Sequence, residues 1–571
     1  MHPISPQSVV FAFIFLMVLT LVCATRPALA AGVPTPGQMA WHEMEIEMLL
    51  CLDPCTWQGR EYDNHTTPQD QVNPTQLDTD QWCQAAQSFG ARQIVFVAKH
   101  TGGFCWWQTE TSNYGIRNTP YKGGKGDVLA ELSQSCRKYG LKLGIYLYPG
   151  DEQWGAGIGS GGRTKNPARQ EAYNAVLRQQ WTEVLSRYGE ISELWFDGSC
   201  VIELGDVIKQ WAPSAMVFQG PHATLRWPGN EKGIAPYPAW QTVDKAAAAT
   251  GVSTGKDSNP DGDVWLPMEM DTTLLDHKWF WGPDTDPMLK SVQTLMDVYY
   301  TSVGRGCVLM LNATPDTTGR IPESHIQRYR EFGRAIESLY EKPKGEISGT
   351  GTTLELRFAG PTRVNRVVTM EDIRAGQRVR AYTLECFRNG TWKKCLTGQS
   401  IGYKKIDVLE SADIDGLRLC ITDASDTPQI KRFAAYEAPE STNPSASVTV
   451  PENHWKLVDT EKPIRATTTW IPIEIPLTAR IQTPGEYEIE LRTKDEKAAV
   501  KVKNAVILMG GTEAPRLIRS LGRGNAWRIS RTDQVTPDEH GETLLRLELR
   551  VRGGEETPVE FFVRPAENKP D

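Results

Sequence analysis

Short apolar runs that each stop on a polar group recur along the first part of the chain. Residues 94–98 close on Lys99-His100, residues 143–148 are followed by Asp151, and Glu193-Leu194-Trp195-Phe196 stops at Asp197-Gly198. Further on, 215–218 ends in Gln219, 265–268 in Glu269, and 307–311 in Asn312. Apolar runs of this length without alternation predict strands buried on both faces. Between them, apolar positions three and four apart predict helices over 130–139, 169–188 and 288–302. This alternation over residues 38–342 predicts an α/β domain of (β/α)8-like barrel type. In such a barrel, polar residues at the C-terminal strand ends line the mouth where chemistry occurs. A lone strand-end aspartate would read as a helix cap. The repetition instead makes Asp197 and Glu269 candidate catalytic carboxylates. The Gly- and Ser-rich stretch 155–162 reads as a loop at that mouth.

From about residue 345 the pattern changes. Runs at 353–358, 363–369, 379–387, 405–408 and 417–421 are short, alternating or β-branched, and turn residues separate them. They predict an all-β sandwich over 346–438. Within it, Cys386 and Cys395 flank an Asn389-Gly390 turn. Symmetric pairing about that turn sets residue 393 opposite Cys386, so a disulfide needs a bulge or an offset. The Pro/Ser-rich stretch Ala438-Pro439-Glu440-Ser441-Thr442-Asn443-Pro444 reads as a linker. Further strands at 470–477, 487–492, 499–502, 544–552 and 559–563 predict an additional β-rich domain over 445–571. The chain is therefore expected to be multidomain, as its 571 residues also require.

Composition adds three points. A net charge of −8, from 62 basic and 70 acidic residues, argues against nucleic acid or an anionic membrane surface as partner. Residues 9–24 are almost wholly apolar, and Ala28-Leu29-Ala30 supplies small residues for cleavage after Ala30. Residues 1–30 thus read as a signal peptide, the alternative being an uncleaved anchor, and the expected location is secreted or periplasmic. Cys51 and Cys55 are four apart, and neither a CxxC pair nor a His cluster at ligand spacing occurs, so the spacing indicates no metal and no cofactor. The 18 Trp residues suit a sugar-binding protein but suit a large core equally.

Several motifs together resemble glycoside hydrolase family 29, the retaining α-L-fucosidases, and are most similar to the subgroup acting on branched 1,3- and 1,4-linked fucosides. They are Lys99-His100-Thr101-Gly102-Gly103-Phe104-Cys105-Trp106-Trp107, Gly124-Lys125-Gly126-Asp127-Val128, the Asp197 strand, Arg226-Trp227-Pro228-Gly229-Asn230-Glu231, Leu266-Pro267-Met268-Glu269-Met270-Asp271 and Ser302-Val303-Gly304-Arg305-Gly306. The second unit matches through Glu371-Asp372-Ile373 and Gly376-Gln377-Arg378-Val379. The resemblance spans roughly residues 38–436. It implies an exo-acting glycosidase working by double displacement on an oligosaccharide or glycoconjugate. Asp197 would be the nucleophile, with a second carboxyl as acid/base about 5–5.5 Å away. Glu231 lies in the Gly-Asn-Glu context that carries the acid in the resembling subgroup, whereas strand-end reasoning favours Glu269. We take Glu231 as the acid and give Glu269 a sugar-binding role. Candidate substrate-binding residues are His100, Trp106, Trp107, Glu61, Tyr148, Trp195, Arg226 and Trp227.

The chain also departs from the family. Cys51 stands where a Phe-x-His-Phe-Gly histidine is usual, and Thr101-Gly102 replace the His-Asp of Lys-His-His-Asp-Gly-Phe. Fewer groups for sugar hydroxyls and a roomier pocket at Thr101-Gly102 predict a shift toward a related or substituted sugar. A carbohydrate-binding homologue without catalysis is the alternative from another class. Retention of Asp197, Glu231 and Glu269 together argues against it.

Overall fold

The computed structural model describes residues 32–445 and β-strand segments between 456 and 565; the expected signal peptide, 1–30, lies outside the described residues. Among the described residues no helix is long and apolar enough to cross a membrane.

Seven strands form one parallel sheet: β1 (Ile46–Leu50), β2 (Gln93–Lys99), β3 (Lys142–Leu147), β4 (Glu193–Trp195), β5 (Met216–Phe218), β6 (Glu269–Thr272) and β7 (Val308–Ala313), in the order β5-β4-β3-β2-β1-β7-β6. Nearly every residue in these strands is buried, as unalternated apolar runs require. Helices α1 (Thr79–Ser88), α2 (Val128–Tyr139), α3 (Gln170–Arg187), α4 (Gly205–Trp211), α5 (Val292–Thr301) and α6 (Glu323–Leu339) flank the sheet. Asp78, Asp127 and Ser291 cap α1, α2 and α5 by accepting first-turn amides.

β5 and β6 share no ladder. A short segment spans the gap: Leu225 bridges Phe218 and Arg226 bridges Met268, both in parallel sense. The Leu225 and Arg226 amides donate to the Val217 and Pro267 carbonyls. Buried Arg226 fastens this join, donating to the carbonyls of Leu266 (2.6 Å), Trp240 (2.6 Å) and Thr254 and to Ser258 Oγ.

One strand differs from its predicted position. The apolar run 265–268 is not the barrel strand, because Val264–Trp265 pairs antiparallel with Thr242–Val243 in a separate ribbon. The barrel strand starts at Glu269 rather than ending there. Glu269 therefore faces the barrel floor with Glu47 and Glu193, which also lie near the starts of their strands, and all three are fully buried. Gln93 Nε2 donates to Glu47 (2.6 Å) and Glu193 (2.7 Å), and Trp195 Nε1 donates to Glu269 (2.7 Å). Burial, then the neighbouring carboxyls, push Glu47 and Glu269 well above the usual carboxylate range, so the cluster shares protons rather than carrying three charges.

The second unit is one six-stranded antiparallel sheet: β8 (Gly345–Thr350), β9 (Thr353–Glu371), β10 (Val379–Arg388), β11 (Thr391–Gln399), β12 (Lys405–Ala424) and β13 (Gln429–Tyr436), ordered β8-β13-β9-β12-β10-β11. The predicted runs 353–358 and 363–369 fuse into β9, and 405–408 and 417–421 into β12. The ladder continues through register shifts between Arg357 and Thr362 and between Val364 and Arg366. Asn389 (φ 51°) and Gly390 (φ 75°) make the β10–β11 turn. Cys386 faces Lys393, and a register shift leaves Cys395 as the extra residue, so the Cys386–Cys395 disulfide closes across a bulge.

This sheet packs on the barrel. Tyr403 stacks on His42, and Gln377 exchanges hydrogen bonds with Ala239 and Gln241. The stretch 438–445 is docked and not a free linker: Asn365 holds Ala438, Gln293 and Arg366 bond Asn443, and Ser445 N donates to Asp297. Strands between 456 and 565 form two further antiparallel sheets, of six and four strands.

Candidate active site

Side chains alternate along a strand. That parity, carried past the end of β4, puts Glu193 on the floor, Trp195 above it and Asp197 at the mouth. Trp195 is a buried platform, stacked on Phe218 at 3.9 Å and on Tyr146 at 5.3 Å. Tyr146 pairs with Trp195 across the β3–β4 ladder, and its hydroxyl donates to Asp197 Oδ2 at 2.9 Å. Asp197 keeps a solvent-exposed face. Crowding beneath the carboxyl pushes its pKa up, the Tyr146 hydrogen bond pulls it down, and Glu231 adds to the upward push. Exposure screens part of this, leaving a carboxylate held in one rotamer and open to a ligand.

Aromatic groups surround Asp197. His100 follows β2 and packs against Phe280 (4.9 Å), Tyr62 (5.9 Å, parallel), Tyr146 and Tyr148. Burial lowers the His100 pKa to about 4, so the ring is neutral at physiological pH. Tyr148 accepts the Gly159 amide at 2.8 Å, which fastens the 155–162 loop to this wall. Tyr62 is 51 % exposed, and its hydroxyl pKa is raised by burial and then by Asp197, Glu231 and Glu61.

Glu231 is exposed at the mouth and accepts Trp279 Nε1 at 3.1 Å. Glu61 accepts the Trp279 amide at 2.9 Å and faces Lys278. Asn312, at the end of β7, donates to the Trp279 carbonyl and accepts the Leu274 amide, which fixes the loop carrying Trp279. Two residues beyond Glu269, Asp271 accepts Trp227 Nε1 at 2.9 Å. Burial and then Glu231 raise the Asp271 pKa well above the ordinary value. The loop bearing Glu231 is thus tied to β6 by Trp227 on Asp271 and by a Lys232–Thr272 bridge.

The structure groups Asp197, Glu231, Glu61, His100, Tyr148, Trp195 and Trp227 and separates four other candidates. Glu269 lies on the floor beneath Trp195. Arg226 spends its guanidinium on backbone carbonyls. Trp106 and Trp107 are fully buried, Trp106 against Trp57 and Phe104 and Trp107 with Nε1 on Glu183 at 2.9 Å, so neither can stack on a sugar. Sequence reasoning missed Tyr146, Tyr62, Trp279, Phe280 and Asp271. The aromatic run Trp279-Phe280-Trp281 and the parity of Asp271 with Glu269 were the available signals.

The expected extra room at Gly102 is also corrected. A Cβ on Gly102 would lie 2.4 Å from Asp63 Oδ2. Asp63 is buried there, accepting from Gln58 (2.7 Å), the His65 amide (2.9 Å) and the Tyr114 hydroxyl (2.6 Å). A carboxylate from another loop fills the space that the family's aspartate would use.

The α-L-fucosidase family model matches residues 35–339, more than half of the chain. The protein belongs to the α-L-fucosidase family. It is therefore a glycoside hydrolase. It is 28% identical to α-L-fucosidase 1 of Arabidopsis thaliana over a 468-residue alignment that covers 72% of this chain and 88% of the plant protein. A Bacteroides thetaiotaomicron structure, provisionally named an α-L-fucosidase, shares 32% identity and a TM-score of 0.68 over 72% of this chain and 100% of that one. A glycoside hydrolase 29 member from a rumen bacterium covers 94% of this chain and 97% of its own, at 25% identity and a TM-score of 0.65. That match extends over the C-terminal strands as well. The family's barrel-plus-sheet layout is the one seen here.

Proposed function

We propose that the protein is an exported, exo-acting, retaining α-L-fucosidase in which Asp197 is the nucleophile and Glu231 the acid/base. The observation that carries this reading is the Asp197 carboxylate, held by Tyr146 at 2.9 Å just past the end of β4, with Glu231 among the groups that push its pKa up. In the first step Asp197 attacks the anomeric carbon while Glu231 protonates the departing oxygen. In the second, Glu231 takes a proton from water, which displaces Asp197. Trp279 aims the Glu231 carboxyl, and Tyr146 limits rotation of Asp197. Asp63 takes the space at Gly102 that a substituted sugar would need, so fucose is the favoured glycone. Branched 1,3/1,4-linked fucosides are the proposed substrates, by resemblance of the Gly-Asn-Glu segment, and residues 1–30 are the proposed export signal.

The test is to follow hydrolysis of an aryl α-L-fucoside by proton NMR. α-Fucose should be the first product formed. Glu231→Ala should cripple substrates with poor leaving groups and spare the first step on activated aryl ones. First-formed β-fucose would refute retention, and equal losses on both leaving groups would remove Glu231 from the acid role.

A further inference from the structure

The wall behind His100 holds polar atoms that the sugar chemistry does not use. Asp53, in the turn after β1, is fully buried, and neither carboxylate oxygen has a partner at full hydrogen-bond geometry; the Cys55 amide and thiol face it more loosely. Cys55 is fully buried two residues on, with a free thiol. His100, after the neighbouring strand β2, has a buried Nδ1 without a partner. One oxygen of Asp53, Cys55 Sγ and a ring nitrogen of His100 all lie within 4.8 Å of one another. The hydroxyls of Thr56 and Thr101, in the same turns, are also buried and unpartnered.

Buried polar groups normally pair with protein, water or an ion, and a buried carboxylate without a partner is costly. In the floor cluster of Glu47, Glu193 and Glu269, Gln93 and Trp195 donate to one oxygen of each carboxyl, the other oxygen is unpartnered, and protons shared among the three carboxyls hold the group together without an ion. Asp53 has only the Cys55 amide and thiol facing it, neither at full hydrogen-bond geometry. Its chemistry is mixed, with one carboxylate oxygen, one sulfur and one imidazole nitrogen, a donor set suited to zinc. Zinc bonds of about 2.0–2.3 Å set tetrahedral donors roughly 3.3–3.8 Å apart, a spacing the 4.8 Å cluster can reach with small rotations. Both anchoring strands belong to the continuous barrel ladder, so the donors are fixed relative to one another.

We propose that Asp53, Cys55 and His100 bind a thiophilic divalent cation of the zinc class in the wall of the sugar pocket. Binding displaces the Cys55 thiol proton and leaves a thiolate on the metal. The ion neutralises Asp53 and fixes the His100 ring between Tyr62 and Phe280. Water, held by Thr56 or Thr101, completes its coordination.

The test uses the full-length protein purified without chelator. Elemental analysis should find about one zinc per chain. Protein stripped with a competing chelator should take up Co2+ with a thiolate-to-cobalt charge-transfer band. Cys55→Ser, with folding checked by circular dichroism, should lose that band, and Asp53→Asn should weaken Co2+ binding by at least about ten-fold. The wild-type Co2+ spectrum decides the matter even if a variant misfolds. Wild-type protein that takes up neither metal, or takes up Co2+ without the charge-transfer band, overturns the proposal. So does a folded Cys55→Ser that binds Co2+ like wild type.

Discussion

Restoring the family's aspartate at position 102 should damage this protein, and removing Asp63 at the same time should repair it. In Gly102→Asp the new Cβ would lie 2.4 Å from Asp63 Oδ2, 2.8 Å from its Cβ and 2.9 Å from its Cγ. Overpacking of this kind costs about 1–3 kcal/mol, and a second carboxylate beside a buried one adds to it. Asp63→Gly leaves the buried Tyr114 hydroxyl and the Gln58 amide without their acceptor, and an orphaned buried donor costs about 1–3 kcal/mol. Alanine at 63 is the wrong partner, since its Cβ would still sit 2.8 Å from the new one. If the positions were independent, the double variant would lose about 2–6 kcal/mol. If one carboxylate has moved between loops, the carboxylate introduced by Gly102→Asp takes over the Tyr114 bond and the double variant is no worse than the poorer single. The assay is a double-mutant cycle on the barrel's thermal midpoint and on kcat/KM for an aryl α-L-fucoside. A coupling of at least about 1–2 kcal/mol is expected. Simple additivity in both readouts would falsify the exchange.

Other tests follow from the same geometry. Asp197→Asn keeps the shape but removes the proposed nucleophile, so kcat should fall by at least roughly a thousand-fold while inhibitor binding measured calorimetrically stays near wild type. The floor glutamates hold protons that the unfolded chain releases above about pH 4.3. Their contribution is therefore fully present below that pH and is lost as pH climbs toward their raised folded values. Glu269→Gln should flatten the fall in thermal midpoint between acid and alkaline buffers, and an unchanged slope would show that Glu269 does not titrate there. Truncation after Ser445 should leave turnover on a small fucoside unchanged. A cut at Ser441 should lower the thermal midpoint, because it removes the Asn443 contacts to Gln293 and Arg366. Equal midpoints for the two truncations would contradict the docking of that stretch.

The barrel was legible because parallel strands covered on both faces must be written as unbroken apolar runs. That rule erred at 265–268, where an antiparallel ribbon, Thr242–Val243 with Val264–Trp265, uses the same kind of run. The error moved a strand end by a few residues and exchanged a mouth residue, Asp271, for a floor residue, Glu269. The position of Asp197 just past a barrel strand was legible because its run had a single reading. Trp106 and Trp107 were misplaced for a different reason: an indole's partner decides its role, and Glu183 on α3 is distant in sequence. The approach of Asp63 to Gly102 and the gathering of Asp53, Cys55 and His100 are likewise long-range. No local spacing records them.

The proposed nucleophile and the proposed acid ride on parts of the ring that are joined differently. Asp197 follows β4, which is laddered to neighbours on both sides, whereas Glu231 follows the Leu225–Arg226 join, where the circuit narrows to single bridges. On the proposed assignment the attacking group sits on the frame and the proton donor on its clasp. The gap between the two carboxylates is set by how tightly that clasp shuts, with Arg226 and the Trp227–Asp271 tie as its fastenings. On that assignment, altering those fastenings should retune proton delivery while the line of attack stays fixed. A fold of this design can adapt to new leaving groups without rebuilding the pocket that grips the sugar.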